Sequence, residues 1–222
     1  MPAPAEFILL NPETWERKEY FDYFYNQIKC KYTLNANIDI SNLLENTKRL
    51  NLRFFPSFLY AIIRAVNRNK EFRMSFDNEG KLGYWNYVVP SYTIFHEDTK
   101  TFSDIWSEYY EDFALFYQGV CQDMETYKHV KAIKSRPGQP ANFCSISSLP
   151  WLSFTNYSQD TFTESPFLFP LIRFGKYFVE GKKTLIPFAV FVNHAVADGY
   201  HTAKLINDIQ ELVMTAEEWM II

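Results

Sequence analysis

Between Lys31 and Ile40 the chain alternates without a break: Tyr32, Leu34, Ala36, Ile38 and Ile40 are interleaved with Lys31, Thr33, Asn35, Asn37 and Asp39. A period of two places every apolar side chain on one face of a strand, so this segment belongs to a sheet with one side against a core. Further on the period changes. Phe55, Phe58, Leu59, Ile62, Ile63 and Val66 recur at helical spacing over about three turns, with Pro56 near the start, where a missing N–H costs nothing. The chain therefore combines a half-buried sheet with amphipathic helices.

Other segments extend the pattern. Phe21, Phe24, Tyr25 and Ile28 predict a helix with an aromatic face, with Asn11-Pro12 as cap and first turn. Ser41 is placed to cap a short helix after the alternating strand. Phe72–Phe76 and Lys81–Trp85 flank Asp77-Asn78-Glu79-Gly80 as a hairpin, and the acidic turn lacks the remaining ligands of a calcium loop. A strand is expected near Tyr92–Phe95, helix over 103–130, and an exposed loop at Ser135–Pro140. Apolar runs at Phe143–Ser148, Phe167–Tyr177 and Thr184–Phe191 read as strands, and Ala203, Ile206, Gln210 and Val213 mark one side of a final helix. Strands and helices mix without regular alternation. The expected fold is an α/β two-layer sandwich, a mixed and mostly antiparallel sheet with helices packed against it, forming one domain over residues 1–222.

Composition excludes several function classes. The formal net charge is -4 and no Lys/Arg block breaks the sequence, which argues against a nucleic-acid partner. Cys30, Cys121 and Cys144 are too few and odd in number for a disulfide framework, Met1–Glu6 does not read as a secretory signal, and no run approaches the roughly 20 apolar residues of a membrane span. A cytoplasmic protein without a membrane partner is expected, and Asn156-Tyr157-Ser158 is then an accidental glycosylation triplet. No glycine-rich phosphate loop follows a predicted strand. The aromatic content, 21 Phe and 15 Tyr, exceeds what a core needs and predicts an aromatic pocket or subunit interface.

The chemistry concentrates at Asn193-His194-Ala195-Val196-Ala197-Asp198-Gly199, where the apolar strand Leu185–Val192 runs into a loop. A neutral imidazole at a strand end is a suitable general base near pH 7. A lone histidine there also reads as a core residue satisfied by a backbone carbonyl, whereas a metal site with Asp198 or His201 lacks a third ligand.

Residues 194–199 match the His-x-x-x-Asp-Gly signature of the chloramphenicol acetyltransferases, which the acyltransferase core of 2-oxo acid dehydrogenases shares. Trp15-Glu16-Arg17-Lys18-Glu19-Tyr20-Phe21, Tyr92-Thr93-Ile94-Phe95-His96 with Thr101-Phe102-Ser103, and Ile146-Ser147-Ser148-Leu149-Pro150-Trp151 resemble that family in the same order, so the resemblance spans nearly the whole chain. It implies a homotrimer with active sites between subunits, with acetyl coenzyme A and a hydroxyl acceptor such as chloramphenicol entering from opposite ends of a channel. It also implies that His194 takes the acceptor proton directly, with no acyl-enzyme step, and that Ser147 donates a hydrogen bond to the tetrahedral oxyanion. Asp198 and Arg17 would form an ion pair holding the loop, and a carbonyl would fix the imidazole tautomer. Phe24, Tyr25, Ile28, Tyr32, Phe102 and Tyr157 fall at or beside acceptor-pocket positions of the family, and Trp151, Lys176 and Tyr177 at the coenzyme A end. No metal is implied.

Four positions depart from the family pattern. Asn193 replaces the first of two histidines and supports the site without acting as its base, and Ala197 replaces a frequent cysteine. Gln159 stands where an apolar pocket residue is usual, and Arg173 where a threonine is. A guanidinium pointing into the channel favours an acceptor carrying a carboxylate or another anion, whereas one pointing away would pair with an acidic neighbour such as Glu164. Two other readings follow from the sequence: an acyltransferase for a different hydroxyl or thiol, including a relative of the dihydrolipoyl acyltransferases, and a protein of the same fold that binds a small aromatic ligand without turnover.

Overall fold

The computed structural model describes residues 4–160 and 166–222. In chain order the first half comprises β1 (Phe7–Leu9), α1 (Lys18–Asp22) running into a π-helical turn (Tyr23–Gln27), β2 (Lys31–Asp39), α2 (Ser41–Arg49), α3 (Phe54–Arg68), β3 (Met74–Phe76), β4 (Leu82–Trp85) and β5 (Val89–His96). The second half comprises β6 (Thr101–Trp106), α4 (Phe113–Tyr127), β7 (Phe143–Leu149), β8 (Leu171–Gly175), β9 (Phe178–Glu180), β10 (Lys183–Asn193), α5 (Gly199–Met214) and α6 (Ala216–Trp219).

The alternating segment pairs antiparallel with β10 along its whole length, from Asp39 opposite Leu185 to Lys31 opposite Asn193. Among the described residues the main sheet runs β2-β10-β8-β7-β5-β6, with β9 also on β10. The β5–β7 and β7–β8 pairs are parallel and the others antiparallel, a mixed and mostly antiparallel sheet.

One face of this sheet is apolar. Ile38, Tyr92, Ile146, Ile172, Phe174, Phe188, Val190 and Val192 are buried there, and α3 packs on them with Phe58 at 5.1 Å from the Phe174 ring and Phe55 at 5.5 Å from Tyr92. Helix α3 in turn contacts α2, α4 and α5. Fully burying each such side chain contributes about 1.5–3 kcal/mol, so this layer is the main source of stability. The opposite face is mixed: Asn35, Arg173, Ser145, Ser147 and Thr93 lie there beside the buried Ala189, Phe191 and Leu171. No helix covers it among the described residues, although residues 154–160 and 166–169 cross part of it, with Tyr157 bonded to Asn35 and Phe167 against Phe143.

Several boundaries differ from the sequence expectation. Helix α1 starts at Lys18, because Asn11 instead closes a turn by accepting the Glu13 N–H at 2.9 Å. Ser41 lies inside α2 and caps nothing: its hydroxyl donates to Asp39 and accepts the Thr184 N–H, stitching the helix start to β10. The expected helix over 103–130 is β6 followed by α4, since Ser103, Ile105 and Trp106 pair with β5. The 135–140 segment is not uniformly exposed, because Ser135 is buried and Arg136 lies 3.9 Å over the Trp106 ring and pairs with Asp123. The strand expected over 167–177 is confined to β8, and β1 adds an unforeseen third strand to the hairpin.

Candidate active site

Strand β10 ends in a turn built by Asn193. Its side-chain oxygen accepts the Ala195 N–H at 3.1 Å, and its carbonyl accepts the N–H groups of Val196 and Ala197. That turn presents His194, whose own N–H donates to the Cys30 carbonyl at 3.0 Å and ties it to the entrance of β2. The imidazole lies flat on Phe24, with ring centres 3.8 Å apart and planes 7° apart, and meets the Tyr32 ring nearly edge-on at 5.1 Å. Phe24 comes from the π-helical turn, a winding often found at functional sites. Among the described residues the buried Nδ1 of His194 has no hydrogen-bond partner, so the carbonyl expected to fix the tautomer does not reach it there. Stacking holds this ring.

Asp198 caps α5. Oδ1 accepts from the Tyr200 and His201 N–H groups and from His201 Nδ1 at 2.8 Å, and Oδ2 accepts from Arg17 Nη1 at 2.8 Å. Burial raises the Asp198 carboxyl, but the Arg17 and His201 hydrogen bonds outweigh that and bring it down to about 2. Glu71 stands 4.0 Å from the far nitrogen of His201, so two carboxylates flank that ring. None of the hydrogen bonds of Asp198 reaches His194. The sequence weighed His201 only as a metal ligand; its place as third residue of a helix capped by Asp198 was the signal for its true partner. Glu71 carried no signal.

Tyr32 donates to or accepts from Thr202 at 2.6 Å, which anchors β2 to α5. Burial pushes its phenol upward. Tyr25 packs between Phe21 and Phe76, at 5.1 and 5.4 Å, and Ile28 is exposed at the rim.

A second group of residues lies on the mixed face of the sheet. Register aligns Asn35, Ala189, Arg173 and Ser147 in one row across four strands. Thr93 extends the row by donating to the Ser147 hydroxyl at 3.3 Å, and Asp104 stands opposite Thr93. Arg173 turns along the sheet toward Ser145: Nη1 donates to the Ile172 carbonyl at 2.8 Å and to the Ser145 carbonyl and hydroxyl at 3.3 and 3.4 Å. Glu164 lies outside the described residues.

Tyr157 bonds through its N–H to Asn35 at 2.9 Å and through its hydroxyl to Gln159 at 3.4 Å. Gln159, Ile28, Tyr32 and Phe191 line a cleft of about 380 Å³ beside the His194 end of the sheet. Phe102 is exposed on β6 opposite Phe95. Of these, Asn35, Thr93, Ser145 and Asp104 escaped the sequence reading, because polar residues on a strand look the same whether they face solvent or a site.

A third group lies at the far ends of β7 and β8. Gly175 lets the loop after β7 approach closely, since a Cβ there would stand 2.6 Å from the Leu152 carbonyl. That carbonyl accepts the Lys176 N–H at 2.9 Å. Trp151 and Tyr177 are exposed, and Trp151 packs edge-on against Phe95 at 4.6 Å. Lys176 is exposed with them. Aromatic faces and an ammonium together suit a nucleotide phosphate and its base.

His194 and Ser147 do not meet within one chain. Ser147 is in register with Ala189, five residues before His194, so strand rise and spacing separate them by roughly 20 Å. They also face apart, because His194 has the parity of Phe188, Val190 and Val192 on the helix side.

Residues 5–210 match the family model described as chloramphenicol acetyltransferase. The chain is 43% identical over 215 residues to a chloramphenicol acetyltransferase of Clostridium perfringens, covering 97% of this chain and 98% of that protein. It is 36% identical over 214 residues to one of Staphylococcus aureus, covering 96% and 99%. Among solved structures, a chloramphenicol acetyltransferase superposes with a TM-score of 0.82 at 22% identity, covering 94% of this chain and 100% of the other. The Azotobacter vinelandii dihydrolipoamide acetyltransferase shares the fold at a TM-score of 0.66 and 15% identity, covering 91% and 88%.

Proposed function

The chain belongs to the chloramphenicol acetyltransferase family of acetyl-coenzyme-A-dependent O-acetyltransferases, and on that premise we propose that it acetylates a hydroxyl of chloramphenicol or a related small acceptor, with His194 as base and Ser147 as oxyanion donor. The observation that carries this reading is the setting of His194. A ring stacked on Phe24, with Nδ1 sealed, leaves Nε2 as the nitrogen that can meet a substrate. With the proton on Nδ1, Nε2 accepts the hydroxyl proton while the acceptor oxygen bonds to the thioester carbon. The tetrahedral oxyanion receives a hydrogen bond from Ser147, a contact worth about 3–4 kcal/mol in comparable sites. Collapse breaks the carbon–sulfur bond, and the imidazolium returns its proton to the departing thiolate.

The separation of His194 and Ser147 supports an active site shared between copies. The His194 end of one chain would meet the mixed sheet face of the next, two different surfaces in contact. Such heterologous contacts close into rings, which favours a cyclic homotrimer over a two-fold dimer. Each copy would act as one domain over residues 1–222. Asp198, Arg17 and Asn193 hold the His194 loop, and Phe24, Tyr25, Ile28, Tyr32, Phe102, Tyr157, Gln159 and Arg173 surround the acceptor. Trp151, Lys176 and Tyr177 receive coenzyme A. No described helix is long and apolar enough to cross a membrane, which fits a cytoplasmic enzyme.

The test is thiol release from acetyl coenzyme A with chloramphenicol, on wild type and His194→Ala, with the product weighed. We expect acetylated product and a loss of about 10²–10⁴-fold in the variant. Equal rates in both proteins would remove His194 as the base. Absence of product in either would refute chloramphenicol as the acceptor.

A further inference from the structure

Two arginines in this protein are placed in opposite ways. Arg17 has a counter-charge, Asp198, and no access: its Nε and Nη2 are buried without partners. Arg173 has the reverse. Among the described residues its Nη1 donates to three neutral oxygens, and no carboxylate lies within ion-pair distance. Asp104, the carboxylate in its row, is already taken by Lys134 and the Ser91 hydroxyl.

Among the described residues the Nε–Nη2 edge of Arg173 meets no carboxylate. That edge is the face of a guanidinium that grips a carboxylate with two parallel bonds. The neighbour on β10 is Ala189, too small to fill the space, and the neutral Tyr157 phenol lies within hydrogen-bonding reach of the guanidinium. Burial disfavours the Arg173 charge, so a half-buried cation among neutral acceptors is costly unless an anion completes it.

We propose that Arg173 binds a carboxylate on the acceptor, making the preferred acceptor a hydroxy acid whose hydroxyl reaches the Ser147 region while its carboxylate rests on the Nε–Nη2 edge. This rests on the acetyl-transfer reading above and specifies its substrate class. Arg173 lies one strand from Ser147 and turns two residues along it, which sets the hydroxyl and carboxylate roughly 7 Å apart, about the span of a benzene ring with its two substituents.

The probes are therefore 4-(hydroxymethyl)benzoate and its neutral isostere 4-(hydroxymethyl)benzamide, compared with chloramphenicol as acetyl acceptors and by calorimetric binding. In wild type, kcat/KM and affinity should favour the acid by at least about tenfold. Arg173→Gln should bring that ratio near one, and Arg173→Lys should keep part of it. Equal use of acid and amide by wild type, or a preference that survives in Arg173→Gln, overturns the proposal; the wild-type comparison decides even if that variant fails to fold. Turnover of chloramphenicol alone, with neither probe bound, refutes the carboxylate site and leaves acetyl transfer standing. Absence of all turnover refutes acetyl transfer, and the acid-to-amide binding ratio still decides Arg173. Loss of the trimer in Arg173→Gln, with a wild-type ratio near one, would assign the guanidinium to a neighbouring copy and overturn the proposal.

Discussion

The two faces of the central sheet follow different rules. On the helix side, Ile38, Ile146, Ile172, Phe188, Val190 and Val192 are buried and apolar, and neighbours could exchange places at modest cost provided total volume is kept. On the other side, the same strands carry Asn35, Arg173, Ser147, Thr93 and Asp104, and there a change of one atom type removes a donor or a charge. Alternation lets one set of strands serve both purposes, so stability and chemistry can be altered separately. Substitutions on each face test that separation.

The largest expected effect on stability is on the helix side. Phe188 is fully buried and lies 6.2 Å from the Phe58 ring, nearly edge-on. Phe188→Ala should cost about 3–5 kcal/mol, read from the denaturation midpoint. A cost below about 1 kcal/mol would mean that the helix layer is not the main source of stability.

Ser147→Ala asks the reverse question. The expected outcome is a fall in kcat of about 10²–10³-fold with stability changed by less than about 1 kcal/mol, because among the described residues the hydrogen bond lost is the one from Thr93. A variant that unfolds like Phe188→Ala would erase the distinction between faces. One that folds and turns over normally would remove Ser147 from the reaction.

The sequence was most legible where a face is apolar. The alternation of β2 and the stripe of α3 each fixed an element and its buried side, since burial leaves a periodic trace. Helix and strand were confused at 103–106 because Ser103, Ile105 and Trp106 suit either period and run toward a real helix. The stacking of Phe24 on His194 depends on a π-helical turn, which has no pattern of its own in sequence. The polar row was illegible for a deeper reason. Ser147 stands beside Arg173 and Thr93 only through strand register, which long-range pairing sets. Residues matched to a known family could be named singly, but only the sheet reveals which are neighbours and that His194 faces away from them.

The smallest expected effect lies at Asp198, which belongs to neither face and joins α5 to the segment before α1. Its carboxyl titrates at about 2 when folded, below the roughly 3.9 of an unfolded aspartate, so its charge stabilises the protein above pH 4. As pH falls from about 4 to 2 the unfolded state takes up the proton first, and the contribution disappears. The full shift would correspond to about 2.6 kcal/mol, but the Asp198 side chain is 34% exposed and solvent screening reduces this to about 1 kcal/mol. Asp198→Asn keeps an oxygen for the Tyr200 and His201 N–H groups and loses the charge facing Arg17. The stability difference between wild type and variant should therefore close as pH falls from about 4 to about 2. Activity at pH 7 should fall as well, because a loosened loop moves His194 relative to Phe24. Full stability with lost activity would mean that Asp198 acts on the imidazole directly, and the ion pair with Arg17 would then be incidental to the site.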